Sequence, residues 1–215
     1  MMSSEEQGML RQSVTQVQKA AQAYLGQNPT FPEAVGFVTQ IHSAIDKVVA
    51  NAVSEGTQLA CRSGCSHCCH VRVEALEPEV FKIARFLQGL PQAALDQFTE
   101  RLEKHAAAVD GTTLTTHRQA CPFLENQRCL IYPIRPAVCR KGHSLDVQPC
   151  AQGADTLPQN VAIIAQSEAI IQGAANAYHA AGLPAGGHEL GSAVLAVLKN
   201  SDAPKEWLAG DVKLK

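Results

Sequence analysis

Eight cysteines lie in two groups along the 215-residue chain. Thiolates at short spacing hold Zn²⁺ or iron–sulfur clusters, because one loop can direct several sulfurs at a single point. Four plus four cysteines can fill two four-thiolate sites, so we expect all eight to be metal ligands. The first cysteine group is Cys61, Cys65, Cys68 and Cys69, and the second cysteine group is Cys121, Cys129, Cys139 and Cys150.

The first cysteine group has the pattern C-x3-C-x2-C-C and ends in an adjacent pair. Neighbouring side chains point in different directions, so Cys68 and Cys69 do not naturally serve one tetrahedral ion. Either the two sulfurs bind different metals, or one is a ligand and the other is buried or reactive. We interpret the pair as a branch point that sends one sulfur to each of two metal positions.

Histidines and arginines near the cysteines are further candidates. Neutral imidazole is a good ligand for zinc and iron, so His70 and His143 are candidate ligands or hydrogen-bond donors to the ligands. A four-thiolate site with a +2 ion carries a charge of about −2, which neighbouring cations can offset. Arg135 and Arg140 are the best candidates for that role, and the alternative is that they are solvated surface charges.

The hydrophobic pattern divides the chain into an N-terminal helical segment (1–55), a cysteine-cluster segment (56–150) and a C-terminal helical segment (151–215). Helical stripes recur in all three segments, and we expect the segments to form one compact unit. Sustained β alternation is missing, apart from the short stretches "VRVEAL" and "CLIYPI". We expect a helix to start near Thr156, and the stripe from Leu190 to Leu198 predicts the last helix.

Two helical patterns lie between the cysteine groups. The first runs through Val80, Ile83 and Leu87 after Pro78, and the second starts near Pro91 and ends before Gly111. Such an αα-hairpin returns the chain to its starting point and can bring the two cysteine groups together. The predicted fold is mainly α, a helical bundle with a loop-rich cysteine-cluster metal site between the helices.

Composition restricts the function. Hydrophobic residues make up 46%, charged residues 18%, and the formal net charge is −2, which gives no basic surface for nucleic acid. The acidic start of the chain has no apolar signal region, and the longest apolar stretch is interrupted by polar residues, so we expect no membrane partner and a cytoplasmic location. Cysteines in a reducing compartment are more often metal or redox groups than disulfides. A protein partner is not predicted.

The stretch "CRSGCSHCCH", followed by "CPFLENQRCLIYPIRPAVCR" and "GHS", resembles the YkgJ family of cysteine-cluster proteins, a zinc- or iron-chelating domain family. The resemblance covers about residues 58–150, although the first spacing is C-x3-C where many members have C-x2-C. It implies metal chelation, and members are often labelled iron–sulfur proteins or oxidoreductases. Members that methylate flagellin lysines carry a similar cysteine domain.

Three functions follow as alternatives. The first is an iron or iron–sulfur protein with redox or SAM-linked chemistry, an oxidoreductase or a methyltransferase-associated protein, and we favour iron slightly over zinc. The spacing from Cys61 to Cys68 matches radical-SAM enzymes, but the chain has too few strands for their barrel. The second is a structural zinc module that binds protein without catalysis. The third is thiol redox chemistry or metal handling at an exposed thiolate such as Cys69, whose pKa Arg72 or a nearby helix end would lower.

Overall fold

The computed structural model describes residues 4–113, 116–154 and 156–214, of which 4–6 are described by their backbone alone. The protein is mainly helical, as predicted. None of the described helices is both long and apolar enough to cross a membrane. The helices are α1 (Ser4–Leu25), α2 (Phe31–Ser54), α3 (Glu77–Gln88), α4 (Gln92–Val109), α5 (Ala137–Lys141), α6 (Val147–Ala151), α7 (Val161–Ala180), α8 (Leu190–Lys199) and α9 (Ala203–Leu208), with 3-10 turns at His67–His70 and Tyr132–Ile134.

Helices from the two ends of the chain pack together. Helix α1 lies along α7, α2 contacts α7, α3 and α5, and α8 packs against both α3 and α4. A cluster of aromatic rings lies in this core, where the buried Trp207 contacts Phe31, Phe81 and Tyr178. The cysteine-cluster segment therefore shares its hydrophobic core with the segments before and after it.

The start of α2 shows how the chain specifies its helices locally. The backbone N–H of Thr30 donates to the Glu33 carboxylate at 2.8 Å, and Pro32 occupies the first turn. This reciprocal capping satisfies amide groups that a helix start leaves without partners. Helix α2 buries Val38 and Ile45 completely, with 0% exposure.

The predicted hairpin is present. Helix α3 buries Val80, Ile83 and Leu87 completely, and α4 buries Leu102 and Val109. The two helices contact each other, but most of their packing is against α8, which approaches from the C-terminal segment. The hairpin thus depends on an element far away in sequence.

Three predicted details differ from the structure. Helix α7 begins at Val161, not near Thr156, because the Asn160 side chain accepts a hydrogen bond from the Ile163 N–H and caps the helix there. Helix α9 follows α8, so α8 is not the last helix. The stretch "CLIYPI" is largely a 3-10 turn, because Pro133 cannot donate to a strand ladder.

The described part of the chain also contains two small antiparallel sheets. Strand β1 (Glu74–Leu76) pairs with β4 (Gly187–Glu189), with Ala75 opposite His188. Strand β2 (Leu124–Glu125) pairs with β3 (Arg128–Cys129), with Leu124 opposite Cys129. The first sheet joins the cysteine-cluster segment to the C-terminal segment, and the second lies inside the second cysteine group.

The contact between α1 and α7 predicts a strong effect of one glycine. A Cβ at Gly173 would lie 2.7 Å from the Val17 side chain and 2.8 Å from the Val14 carbonyl oxygen. We expect Gly173→Ala to lower the free energy of unfolding by about 1–3 kcal/mol, the usual cost of overpacking. Urea denaturation measures this change.

Gly36→Ala is the matched control for that experiment. Gly36 is exposed on α2, and a Cβ there meets nothing within 4 Å. Alanine has the higher helix propensity, so this variant should gain up to about 1 kcal/mol. Equal effects of the two substitutions would contradict close packing between α1 and α7.

Candidate metal centre

The first cysteine group lies on a loop with little hydrophobic anchoring. The Cys65 N–H donates to the Arg62 carbonyl at 2.9 Å, and Gly64 between them has φ +85°, the conformation that a type II turn needs at its third residue. The 3-10 turn at His67–His70 then presents the adjacent cysteines. Cys61 and Cys68 are exposed, Cys65 and Cys69 are half-buried, and no side chain of residues 56–70 is fully buried.

The second cysteine group lies on three short elements. A two-residue turn, Asn126 and Gln127, has positive φ at both positions, which is the geometry that matches the twist of a hairpin. It folds the chain back so that Cys129 lies opposite Leu124, close to Cys121. Cys139 lies on α5 and Cys150 on α6, and all four thiols are half-buried.

Backbone contacts bring the two groups together. The Cys121 N–H donates to the Cys69 carbonyl at 2.7 Å. This hydrogen bond joins the two ends of the segment that contains the helical hairpin. The Ala60 N–H donates to the Ser144 carbonyl at 2.9 Å, and α6 contacts the 3-10 turn at His67–His70. The predicted return of the chain therefore does place the two cysteine groups side by side.

The thiols influence each other electrostatically, and Cys68 affects the pKa of cysteines in both groups. Burial, with smaller contributions from the thiols of Cys129 and Cys68, raises the pKa of Cys121 to about 12. Burial raises the pKa of Cys139, again with contributions from Cys121, Cys68 and Cys129. Burial also raises the pKa of Cys61, but its thiol neighbours are Cys65, Cys68 and Cys150.

Cys68 and Cys69 differ from each other. A hydrogen bond between their thiols lowers the pKa of Cys68 and raises that of Cys69, and the charges of His70 and Arg135 also favour the Cys68 thiolate. Arg72, expected to activate Cys69, pairs instead with the Glu74 carboxylate at 3.2 Å. The thiolate of the doubled pair is therefore favoured at Cys68 rather than at Cys69.

Among the described residues, no three His, Cys, Asp or Glu side chains lie close enough together to hold one metal ion. The eight cysteines are all free and all within the described ranges. They are neighbours in space rather than a closed coordination shell. Their chemistry still fits a thiophilic metal, because thiols are gathered from two loops around one region.

The two candidate arginines have different surroundings. The guanidinium of Arg135 lies over the Tyr132 ring at 3.9 Å, beside the thiols whose charge it would offset. Arg140 is buried and donates to Asp46 at 2.5 Å, to the Pro133 carbonyl at 2.5 Å and to the Arg135 carbonyl at 2.9 Å. Arg140 therefore holds the loop that carries Arg135 against α2.

The candidate histidines also differ. His70 is exposed, and its Nδ1–H donates to the Ser66 carbonyl at 3.1 Å, which leaves Nε2 as the acceptor nitrogen. His143 is buried, its Nδ1–H donates to the Lys141 carbonyl at 2.7 Å, and its Nε2 accepts from the Asn160 N–H at 2.8 Å. Both nitrogens of His143 are thus occupied by the backbone, and this ring ties the second cysteine group to the start of α7.

A buried acid that was not among the sequence candidates positions one of the cysteines. Glu79 is 1% exposed, and its Oε1 accepts from His42 at 2.7 Å and from the Ala137 N–H at 2.6 Å. Ala137 is the first residue of α5, the short helix that carries Cys139. The sequence signal is weak, because a glutamate in the first turn of a helix is usually only a cap.

Residues 60–161 match a family model with the signature CxxCxxCC, described as "Putative zinc- or iron-chelating domain". This segment belongs to that family. The match confirms the resemblance to YkgJ-type proteins and supports metal chelation. Cys61 and Cys65 are separated by one residue more than in the signature, and the turn at Gly64 accommodates it. Searches of the curated proteins and of the solved structures returned no match.

Proposed function

We propose that this domain binds metal at two positions, each ligated by cysteines from both groups. The observation that carries the proposal is the hydrogen bond between Cys121 and Cys69, which joins the groups at the doubled cysteine. We assign the inner metal position to Cys69, Cys121, Cys129 and Cys139, and the outer metal position to Cys61, Cys65, Cys68 and Cys150. The outer set is supported by Cys65, Cys68 and Cys150, which raise the pKa of Cys61. The inner set is supported by Cys121 and Cys129, which raise the pKa of Cys69, and Cys68 lies next to both sets.

Metal ligation would supply the stabilisation that burial does not. Residues 56–70 have no fully buried side chain, so ordering them has little hydrophobic compensation. Metal–thiolate bonds can order such a loop outright, because binding free energy becomes folding free energy. The positive charge of Arg135 beside Cys68 offsets part of the negative charge of the thiolates.

We favour iron, as a cluster or as thiolate-held iron, and take a structural zinc module as the second candidate. Thiolates suit both metals. The loosely anchored first cysteine group is the observation that favours the structural reading. The cavity that borders Cys121 has a volume of about 10 Å³, far below the roughly 300 Å³ of a small-molecule pocket, so it gives no support to SAM-linked chemistry there.

Elemental analysis of protein purified without oxygen tests the proposal and separates the two metals. An iron–sulfur centre should give a brown protein whose colour bleaches on reduction, with iron and acid-labile sulfide in proportion. A colourless protein with stoichiometric zinc would establish the structural alternative. If the protein holds neither metal, and added iron or zinc does not bind, the proposed function is wrong.

A further inference from the structure

A buried histidine shortly before Cys121 has a ring nitrogen without a hydrogen-bond partner. His117 is 1% exposed, and its Nε2–H donates to the Gln119 carbonyl at 3.2 Å. That bond leaves Nδ1 as a bare lone pair, and Nδ1 is buried without any hydrogen-bond partner. A buried polar atom without a partner is costly and needs an explanation.

His117 lines the same small cavity as Cys121. Also around this cavity are His105, whose ring centre lies 5.8 Å from that of His117, and Glu189. His105 places Nε2 3.0 Å from the Glu189 carboxylate and Nδ1 3.2 Å from the Ala120 carbonyl, so both of its nitrogens are occupied. Of the two rings, His117 alone presents a nitrogen lone pair that is not already used.

This arrangement has the features of a histidine prepared for a metal. Metal-binding histidines usually donate one ring N–H to a carbonyl or carboxylate, which fixes the tautomer and leaves the other nitrogen for the ion. The Gln119 carbonyl does this for His117, and the spacing His117-x3-Cys121 resembles that of ligands on one loop. A cavity of about 10 Å³ is at the lower limit of what holds one water molecule, and an ion needs less room.

We propose that Nδ1 of His117 is a nitrogen ligand of the inner metal position, so that its donor set is sulfur and nitrogen rather than sulfur alone. This assignment rests on the metal-binding function proposed above. Of the four cysteines assigned to the inner position only Cys121 lines this cavity, so His117 would bind beside Cys121 and take the place of one thiolate at a tetrahedral ion. The nitrogen would come from a residue outside the cysteine signature.

His117→Gln is the decisive variant, because its amide nitrogen can keep the hydrogen bond to Gln119 while the Nδ1 lone pair is lost. The matched control is His179→Gln, since His179 is exposed near the end of α7 and its Nε2 accepts from the Ala185 N–H at 3.2 Å. Both variants and the unaltered protein are loaded with zinc alone. Affinity is measured by competition with a chromophoric chelator, and the ligand atoms by X-ray absorption at the zinc edge.

We expect His117→Gln to bind zinc at the inner position at least about 10-fold more weakly, since even changes to groups behind the ligands cost that much. The Zn–N signal at about 2.0–2.1 Å should fall relative to the Zn–S signal at about 2.3 Å. His179→Gln should match the unaltered protein in both measurements.

Unchanged affinity and an unchanged nitrogen signal in His117→Gln would overturn the assignment and leave the proposed function intact. If the unaltered protein binds no zinc or iron, both proposals fail. Should His117→Gln not fold, ¹⁵N spectra of the unaltered protein decide the matter. Zinc must then shift the Nδ1 resonance of His117, and a resonance that stays in place overturns the assignment.

Discussion

Cys121→Ser is expected to remove one of two bound metal equivalents and to leave the other in place. A serine hydroxyl is a poor ligand for a thiophilic metal. Changing a residue that only orients a ligand lowers metal affinity by up to roughly 100-fold, so the loss of a ligand itself should lower the affinity further. The Cys121 N–H donates a backbone hydrogen bond to the Cys69 carbonyl at 2.7 Å, and we assign both cysteines to the inner metal position. Cys69→Ser should therefore lose the same equivalent. Metal content per chain, measured after gel filtration, reports the result.

Cys150→Ser is the matched control for this prediction. Cys150 lies on α6, which contacts the 3-10 turn of the first cysteine group, and we assign it to the outer position. Cys150→Ser and Cys65→Ser should each lose the other metal equivalent. The Cys121→Ser/Cys150→Ser double variant should lose both metal equivalents. The two-position arrangement is contradicted if Cys121→Ser empties the protein by itself, or if the double variant keeps one equivalent.

The helices could be predicted because their information is local. Val80, Ile83 and Leu87 repeat at helical spacing, and that spacing alone requires a buried face. The meeting of the two cysteine groups also followed from the sequence, since two helices joined by a short loop must bring the chain back.

The supports of the site could not be predicted, because they depend on contacts between distant residues. Strand β1 pairs with β4 more than a hundred positions later, and neither strand has an apolar pattern that reveals its partner. Glu79 accepts a hydrogen bond from the N–H of Ala137, the first residue of α5, which lies 58 positions further along the chain. His117 lies outside any motif, and its unpartnered nitrogen becomes visible only once the surrounding side chains are placed.

Glu79→Ala is expected to lower the free energy of unfolding by at least about 1–3 kcal/mol, the cost of leaving a buried hydrogen-bonding group without its partner. The carboxylate is 1% exposed and accepts three hydrogen bonds, from His42 at 2.7 Å, from the Ala137 N–H at 2.6 Å and from the Leu76 N–H at 3.1 Å. Removing it leaves the buried Ala137 N–H, the half-buried Leu76 N–H and the His42 imidazole without their acceptor. Urea denaturation of the metal-free protein measures the loss.

The same variant should also weaken metal binding, because Glu79 holds the first residue of the helix that carries Cys139. A displaced α5 would move that thiol away from the inner position, and we expect an affinity loss of about 10- to 100-fold, the range for groups that orient ligands. Glu100→Gln is the control, since Glu100 forms only an exposed pair with Lys104 and should change neither quantity much. A Glu79 variant that loses stability but keeps its full metal affinity would show that the helical scaffold and the inner position are independent.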